Sequence, residues 1–186
     1  MTCHVFRWVV DTHAMASGAG PGELVGLTAE QETAWFAYMR VVLRLGYELN
    51  HQLQQDHDLS LADYDVLNAL ADSPDGRLQI TALGVRLGWE RSRVSHRLRR
   101  MEGRGLVRRE RSSTDARATD AALTAAGTAA VEAATPSHAA LVKRLFFDGL
   151  PEQTLPHLTE AMEAIHEQLL LEGTLARPAS RQTRWA

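Results

Sequence analysis

The stretch ITALGVRLGWERSRVSHRLRRMEGRGL, residues 80–106, leaves the chain the fewest choices of fold. Leu83, Val85 and Leu87 give a short helix that begins at Ile80. Gly88 stops it, because glycine enters the left-handed region without a steric cost. A second helix opens near Glu90 and runs to Gly103. Short helix, tight turn and second helix make a helix-turn-helix. Gly105 ends the second helix. LVRRERS then alternates as a strand, STDAR turns, and ATDAALT returns as a strand of small residues. A two-stranded ribbon in this place is a wing. The expected fold is therefore mainly α with a small β-wing.

The second helix also carries an unusual charge. The whole chain has a net charge of −3, yet eleven arginines and only four acids fall between Arg86 and Arg117. That segment is locally +7, so the remainder carries −10. An acidic body with one basic patch suits a polyanionic partner. With 100° per residue and Val94 as zero, Leu98 falls at about 40° and Met101 at about 340°, so these three face a core. Ser92, His96 and Arg99 fall on the far side, with Arg93, Ser95 and Arg100 on the flanks. Arginine can read a guanine edge with two hydrogen bonds, and serine and histidine can reach bases or phosphates in a major groove. The expected DNA contacts are Arg91, Ser92, Arg93, Ser95, His96, Arg97, Arg99 and Arg100 from the helix. Arg93 and His96 are expected to read bases. Arg100 and Arg108 are expected to hold phosphates. Arg117, at the wing tip, can enter a minor groove, whose potential attracts arginine where it is narrow. Asp115 is expected to support that turn by accepting local backbone N–H groups.

The rest of the chain is organised around this module. Residues 1–27 form a flexible extension containing SGAGPG (17–22), which matches no dinucleotide fingerprint. Met15 is a second candidate start of translation. Thr28 and Gln31 make a capping box for a long helix. Trp35, Met39, Val42, Gly46, Leu49 and Leu53 recur in it at steps of four and three, like a coiled-coil seam. A helix apolar on so many sides needs two kinds of neighbour, its own core and a second subunit. A break at Asp56–Asp58 precedes Ser60, which caps a helix to about Ala71. SPDGR (73–77) is a turn. Thr124 caps another helix, alanine-rich to about Ala134, which Pro136 is expected to kink or break. The last helix repeats Leu158, Met162, Ile165 and Leu169 at the same spacing. The division expected is 28–56 with 136–172 for dimerisation, 57–127 for DNA binding with its helix continuing to about 135, and 173–186 as a flexible tail.

LSLADYDVLNAL (59–70), ITALGVRLG (80–88), SRVSHRLRRMEGRGLVRRE (92–110), DAR (115–117) and LTAAG (123–127) together resemble the MarR (multiple antibiotic resistance regulator) family of winged helix-turn-helix regulators. The resemblance implies a homodimer built by the N- and C-terminal helices, a pseudo-palindromic operator in double-stranded DNA, and a repressor released by a small aromatic or phenolic ligand. The candidate ligand-binding residues are Trp35, Tyr38, Met39, Tyr47, His51 and Tyr64, with Arg40, Arg44 and Asp63 as further polar groups. One departure is visible, since SST (112–114) stands where the family has Asp-Pro before the wing.

Other chemistries fit less well. The one cysteine, Cys3, excludes an intrachain disulfide and a four-cysteine zinc cage. It also precedes the first helix, where a peroxide-sensing cysteine would sit. His51 and His57 do not share a helix face, and HEQLL (166–170) lacks the second histidine of a zinc-protease motif. GxSxG is absent, so no nucleophile elbow is present. No enzyme, cofactor or metal is expected, and no apolar run approaches a membrane span. A cytoplasmic regulator is the expectation, against an effector-independent architectural DNA-binding protein or a metal- or redox-sensing regulator.

Overall fold

The computed structural model describes residues 24–73, 75–112, 115 and 117–178. The helices are α1 (Ala29–His57), α2 (Leu61–Ala71), α3 (Ile80–Leu87), α4 (Arg91–Gly103), α5 (Ala125–Val142) and α6 (Leu155–Glu172). The strands are β1 (Arg77–Gln79), β2 (Val107–Arg111) and β3 (Thr119–Leu123). The chain divides into two compact units between Val42 and Leu43, within α1. Cys3, Met15 and SGAGPG all lie outside the described residues, as do residues 179–186 of the tail.

In the first unit the expected capping box forms. The Thr28 N–H donates to Gln31 Oε1 at 2.9 Å, and the Gln31 N–H donates to Thr28 Oγ1 at 3.2 Å. Past this cap the helix carries large apolar side chains, and Trp35, Phe36, Tyr38, Val41 and Val42 are all exposed.

The second unit holds the core. The remainder of α1 sends Leu53 into it, and the helix ends where Asp58 turns to φ +52°. Ser60 and Asp63 cap α2 reciprocally, each accepting from the other's backbone N–H at 3.1 Å. From α2, Val66, Leu67 and Leu70 are fully buried, and they share one apolar cluster with Leu83 of α3 and Val107 of β2. Gly88 has φ +65°, the left-handed stop that the sequence required.

The sheet is three-stranded and antiparallel in the order β1-β3-β2. Arg77 pairs with Ala122 on one side of β3, and Val107 pairs with Leu123 on the other. The small side chains of β3 suit a central strand, since Ala121 and Ala122 are buried. The strand β1 was not expected. Its three residues are too short for any alternation to show, and pairing with β3 defines it.

Pro136 does not break α5, which runs on through it to Val142. Proline removes only the bond to the Glu132 carbonyl, and Glu132 and Pro136 both lie on the exposed side. Nearby, the Thr135 and Ser137 hydroxyls donate to the Val131 and Ala134 carbonyls at 2.7 and 3.2 Å. The expected boundary at 135/136 therefore falls inside one helix. A π-type turn (Lys143–Phe147) follows it. In α6 no side chain is buried, and Met162, Ile165 and Leu169 stand exposed. Just beyond it, Arg177 Nε donates to the Leu170 carbonyl at 3.1 Å, so the first residues of the expected tail are tied to that helix.

Candidate nucleic-acid interface

The helix α4 is anchored as its periodicity requires. Val94, Leu98 and Met101 are fully buried. Arg91, Ser92, Arg93, His96, Arg99 and Arg100 are exposed, and Ser95 is half-buried. Among the described residues Arg91, Arg99 and Arg100 make no ion pair, so a cationic face is left without carboxylate partners. Arg93 lies with its guanidinium carbon 4.2 Å from the centre of the Trp89 ring.

Arg97 departs from the expectation. Its Nη1 donates to Asp63 Oδ1 at 3.2 Å and to Ser60 Oγ at 3.1 Å, and the side chain is largely covered. Arg104 completes the arrangement, reaching Asp63 Oδ2 at 3.2 Å and both the carbonyl and the carboxylate of Asp58. These two arginines bind α4 to the start of α2, and Asp63 is spent on them and on its cap. Asp63 is therefore no free polar group for a ligand. Two carboxyls elsewhere in this region titrate unusually. Hydrogen bonds from Arg109 hold Glu102 below the usual range. Burial pushes Asp65 up to about 6, against the opposing charge of Arg93.

Arg108, the second expected phosphate holder, is likewise engaged. Its Nε meets Glu110 Oε2 at 3.1 Å and its Nη1 donates to the Leu123 carbonyl at 2.7 Å. Glu110 also takes Arg77 at 2.7 Å, joining the outer strands across β3. Asp115 Oδ1 accepts the Arg117 N–H at 2.9 Å, its carbonyl accepts the Ala118 N–H at 2.9 Å, and the Arg117 side chain is exposed. Within SST, Ser113 and Thr114 lie outside the described residues.

The six candidate ligand residues are dispersed between the two units. Trp35, Tyr38 and Met39 belong to the first, where the Trp35 and Tyr38 rings meet at 5.7 Å. Tyr47, His51 and Tyr64 belong to the second. Tyr47 stacks on His51 at 5.9 Å along one helix face. Tyr64 is a core residue, with its hydroxyl 3.2 Å from Thr135 Oγ1 and its ring 4.4 Å from that of His138. Burial lowers the His138 pKa. Among the described residues no three His, Cys, Asp or Glu side chains gather as a metal site, and no helix is long and apolar enough to cross a membrane.

Sequence reasoning missed Trp89, Arg104 and the central part played by Asp63. A signal existed for the first, since Trp89 and Arg93 are four apart at the opening of α4. The Asp63 network joins residues 34 and 41 positions apart, which periodicity does not register.

A helix fixed by its aliphatic face and bare along its arginine face can enter a major groove while the adjoining ribbon flanks it. This makes the molecule a winged helix-turn-helix DNA-binding protein. The MarR family profile matches residues 57–118. AbsC, a MarR family transcriptional regulator from Streptomyces coelicolor, is 34% identical; the match covers 78% of this chain and 98% of AbsC, with TM-score 0.74. Sco3205, a MarR family regulator from the same organism solved in complex with DNA, is 34% identical, with 84% and 99% of the two chains covered and TM-score 0.76. The organohalide-sensing regulator RdhR-CbdbA1625, in its 2,4-dichlorophenol-bound form, shares the fold at 18% identity, with 85% and 92% covered and TM-score 0.71. No curated protein matches the sequence. With a third of its aligned residues identical to two regulators that it spans almost completely, this chain belongs to the MarR family and is a DNA-binding transcriptional regulator, not an enzyme.

Proposed function

We propose that the chain acts as a homodimer that represses transcription from a pseudo-palindromic operator and is released by a small aromatic or phenolic ligand. The observation that carries the DNA part is the α4 face on which Arg91, Arg99 and Arg100 stand exposed, without ion pairs among the described residues, while Val94, Leu98 and Met101 on the opposite face are fully buried. The proposed contacts are Arg91, Ser92, Arg93, Ser95, His96, Arg99 and Arg100 from α4, with Arg117 from the wing. Arg108, exposed on β2, is kept as a proposed phosphate contact, whereas Arg97 is engaged by Asp63 and Ser60. The dimer reading rests on the uncovered apolar side chains of α1 and α6 and on the family's habit of binding DNA as dimers. Residues 28–56 and 136–172 would supply that interface, and 57–127 the DNA-binding module. Support for the ligand class comes from the chlorophenol bound by RdhR-CbdbA1625 and from the exposed Trp35, Tyr38 and Tyr47 here.

The test uses the site that wild type selects from a random-sequence duplex library, beside an unselected duplex. Arg91→Ala and Arg100→Ala are expected to weaken both alike and to shallow the salt dependence by about one unit of slope each. An unchanged slope in both variants would refute the placement of α4 on DNA. A thermal-shift and release assay with simple phenols tests the effector, and DNA binding that no phenol disturbs would favour the architectural reading.

A further inference from the structure

Among the described residues, Arg93 is the one arginine of the exposed α4 face that rests on an aromatic ring. Its guanidinium carbon is 4.2 Å from the Trp89 centroid, inside the range of a cation–π contact. Trp89 is itself packed into the apolar core and only 9% exposed. Its backbone is fixed as well, because its N–H donates to the Gly84 carbonyl at 2.8 Å across the helix-turn-helix corner. Gly84 leaves room for this corner, since a Cβ there would sit 2.8 Å from the Trp89 carbonyl oxygen. Arg93 is also within electrostatic reach of Asp65 on α2. The guanidinium thus lies on a buried indole, with the Asp65 carboxyl in electrostatic reach. Among the described residues, Arg91, Arg99 and Arg100 have neither an aromatic ring beneath them nor an ion pair.

Arginine gives up substantial rotamer freedom when it docks on a base edge. A residue that restricts this freedom beforehand lowers that cost. Arg93 stands in the first turn of α4, and the N-terminal part of such a helix is what meets base edges. We propose that Trp89 is a positioning residue for sequence readout, holding the Arg93 guanidinium in a restricted set of poses from which it engages a base. This rests on the reading of Arg93 as a base contact. Trp89 touches no DNA in this account and acts through Arg93 alone. A purely structural Trp89 would affect cognate and random DNA through folding, and its effect would not depend on which side chain stands at 93.

The experiment is a double-mutant cycle on the full-length chain, using the site selected by wild type and an unselected duplex at one fixed salt concentration. The readout is the ratio of the two affinities. Arg93→Ala is expected to reduce the ratio by about 5- to 150-fold, the loss of one base contact. Trp89→Leu is expected to reduce it about 3- to 10-fold while binding to the unselected duplex is kept. Added to Arg93→Ala, Trp89→Leu should reduce the ratio no further. Trp89 is a core residue, so Trp89→Phe serves as a second variant. It keeps an aromatic face of weaker quadrupole and should lose less than Trp89→Leu, again only when Arg93 is present. An equal loss from the Trp89 variants with and without Arg93 overturns the proposal. So does an unchanged ratio in both Trp89 variants while Arg93→Ala lowers it; the reading of Arg93 then stands alone. An unchanged ratio in Arg93→Ala removes that reading and the proposal together.

Discussion

Asp63 and Asp65 lie two residues apart on α2 and have opposite fates. The Asp63 carboxylate is met by two guanidinium groups and the Ser60 backbone N–H, so its charge is balanced where it is buried. Removing the carboxylate takes the ion-pair partner from Arg97, leaves Arg104 with Asp58 alone, and removes one half of the reciprocal cap of α2. Asp63→Ala is expected to cost about 3 kcal/mol, the low end for a broken buried pair, because both arginines keep some access to water; denaturant unfolding measures it. Asp65 has no such partner close at hand, and burial raises its carboxyl from 3.8 to about 6. The folded chain therefore holds this proton more tightly than the unfolded one. The charged form costs stability above about pH 6; the cost shrinks as pH falls through 6 and is gone below the unfolded value. Asp65→Asn should raise the unfolding midpoint at neutral pH and flatten its change between about pH 4 and 6. Arg93→Ala should move the Asp65 carboxyl higher still, since the arginine charge opposes the burial. An NMR titration that finds Asp65 near its ordinary value in wild type would contradict both. At this scale the sequence revealed which α4 side chains turn inward, because a helical period fixes angles. It did not reveal which arginines are consumed by carboxylates, because Asp58 and Asp63 reach them only through the fold.

Helices and the wing followed from capping and stop residues that act over a few positions. Thr28, Ser60 and Thr124 each cap where a side-chain oxygen precedes an apolar repeat, and Gly88 ends α3. The strand β1 and the uninterrupted α5 were not legible, since one is defined by its neighbour strand and the other by solvent around Glu132. The join between β3 and α5 is similarly tertiary. A Cβ on Gly127 would lie 2.0 Å from the Leu106 carbonyl oxygen, in the turn where Thr124 Oγ1 also binds that carbonyl. Gly127→Ala is therefore expected to cost at least the roughly 1–3 kcal/mol of ordinary overpacking, with a matching fall in thermal midpoint. The wing gives a different kind of expectation, because the Arg117 side chain is exposed. Arg117→Ala should leave stability unchanged. It should weaken binding most where A·T-rich sequence narrows the minor groove at the wing position and least where that flank is G·C-rich. Paired titrations at one salt concentration measure this. Equal losses on both flanks would make Arg117 a phosphate clamp.

For the molecule as a whole, the apolar seams on α1 and α6 are visible as heptad-like spacing; in the single chain Leu53 enters the core, whereas Trp35, Val42, Met162, Ile165 and Leu169 stand exposed. Exposed apolar surface on this scale marks an interaction face. Which surfaces pair could not be read from spacing, since a repeat reports a buried stripe without naming what buries it. Ile165 is 54% exposed in the single chain, so Ile165→Asp should leave the fold intact, halve the mass seen by light scattering and weaken operator binding. A two-fold assembly would present two α4 helices to one face of a duplex. The most direct measurement is hydroxyl-radical footprinting of wild type on the duplex it selects from a random library. The account predicts two protected half-sites in inverted repeat, their centres about 10 bp apart. A single unrepeated protected site would contradict it.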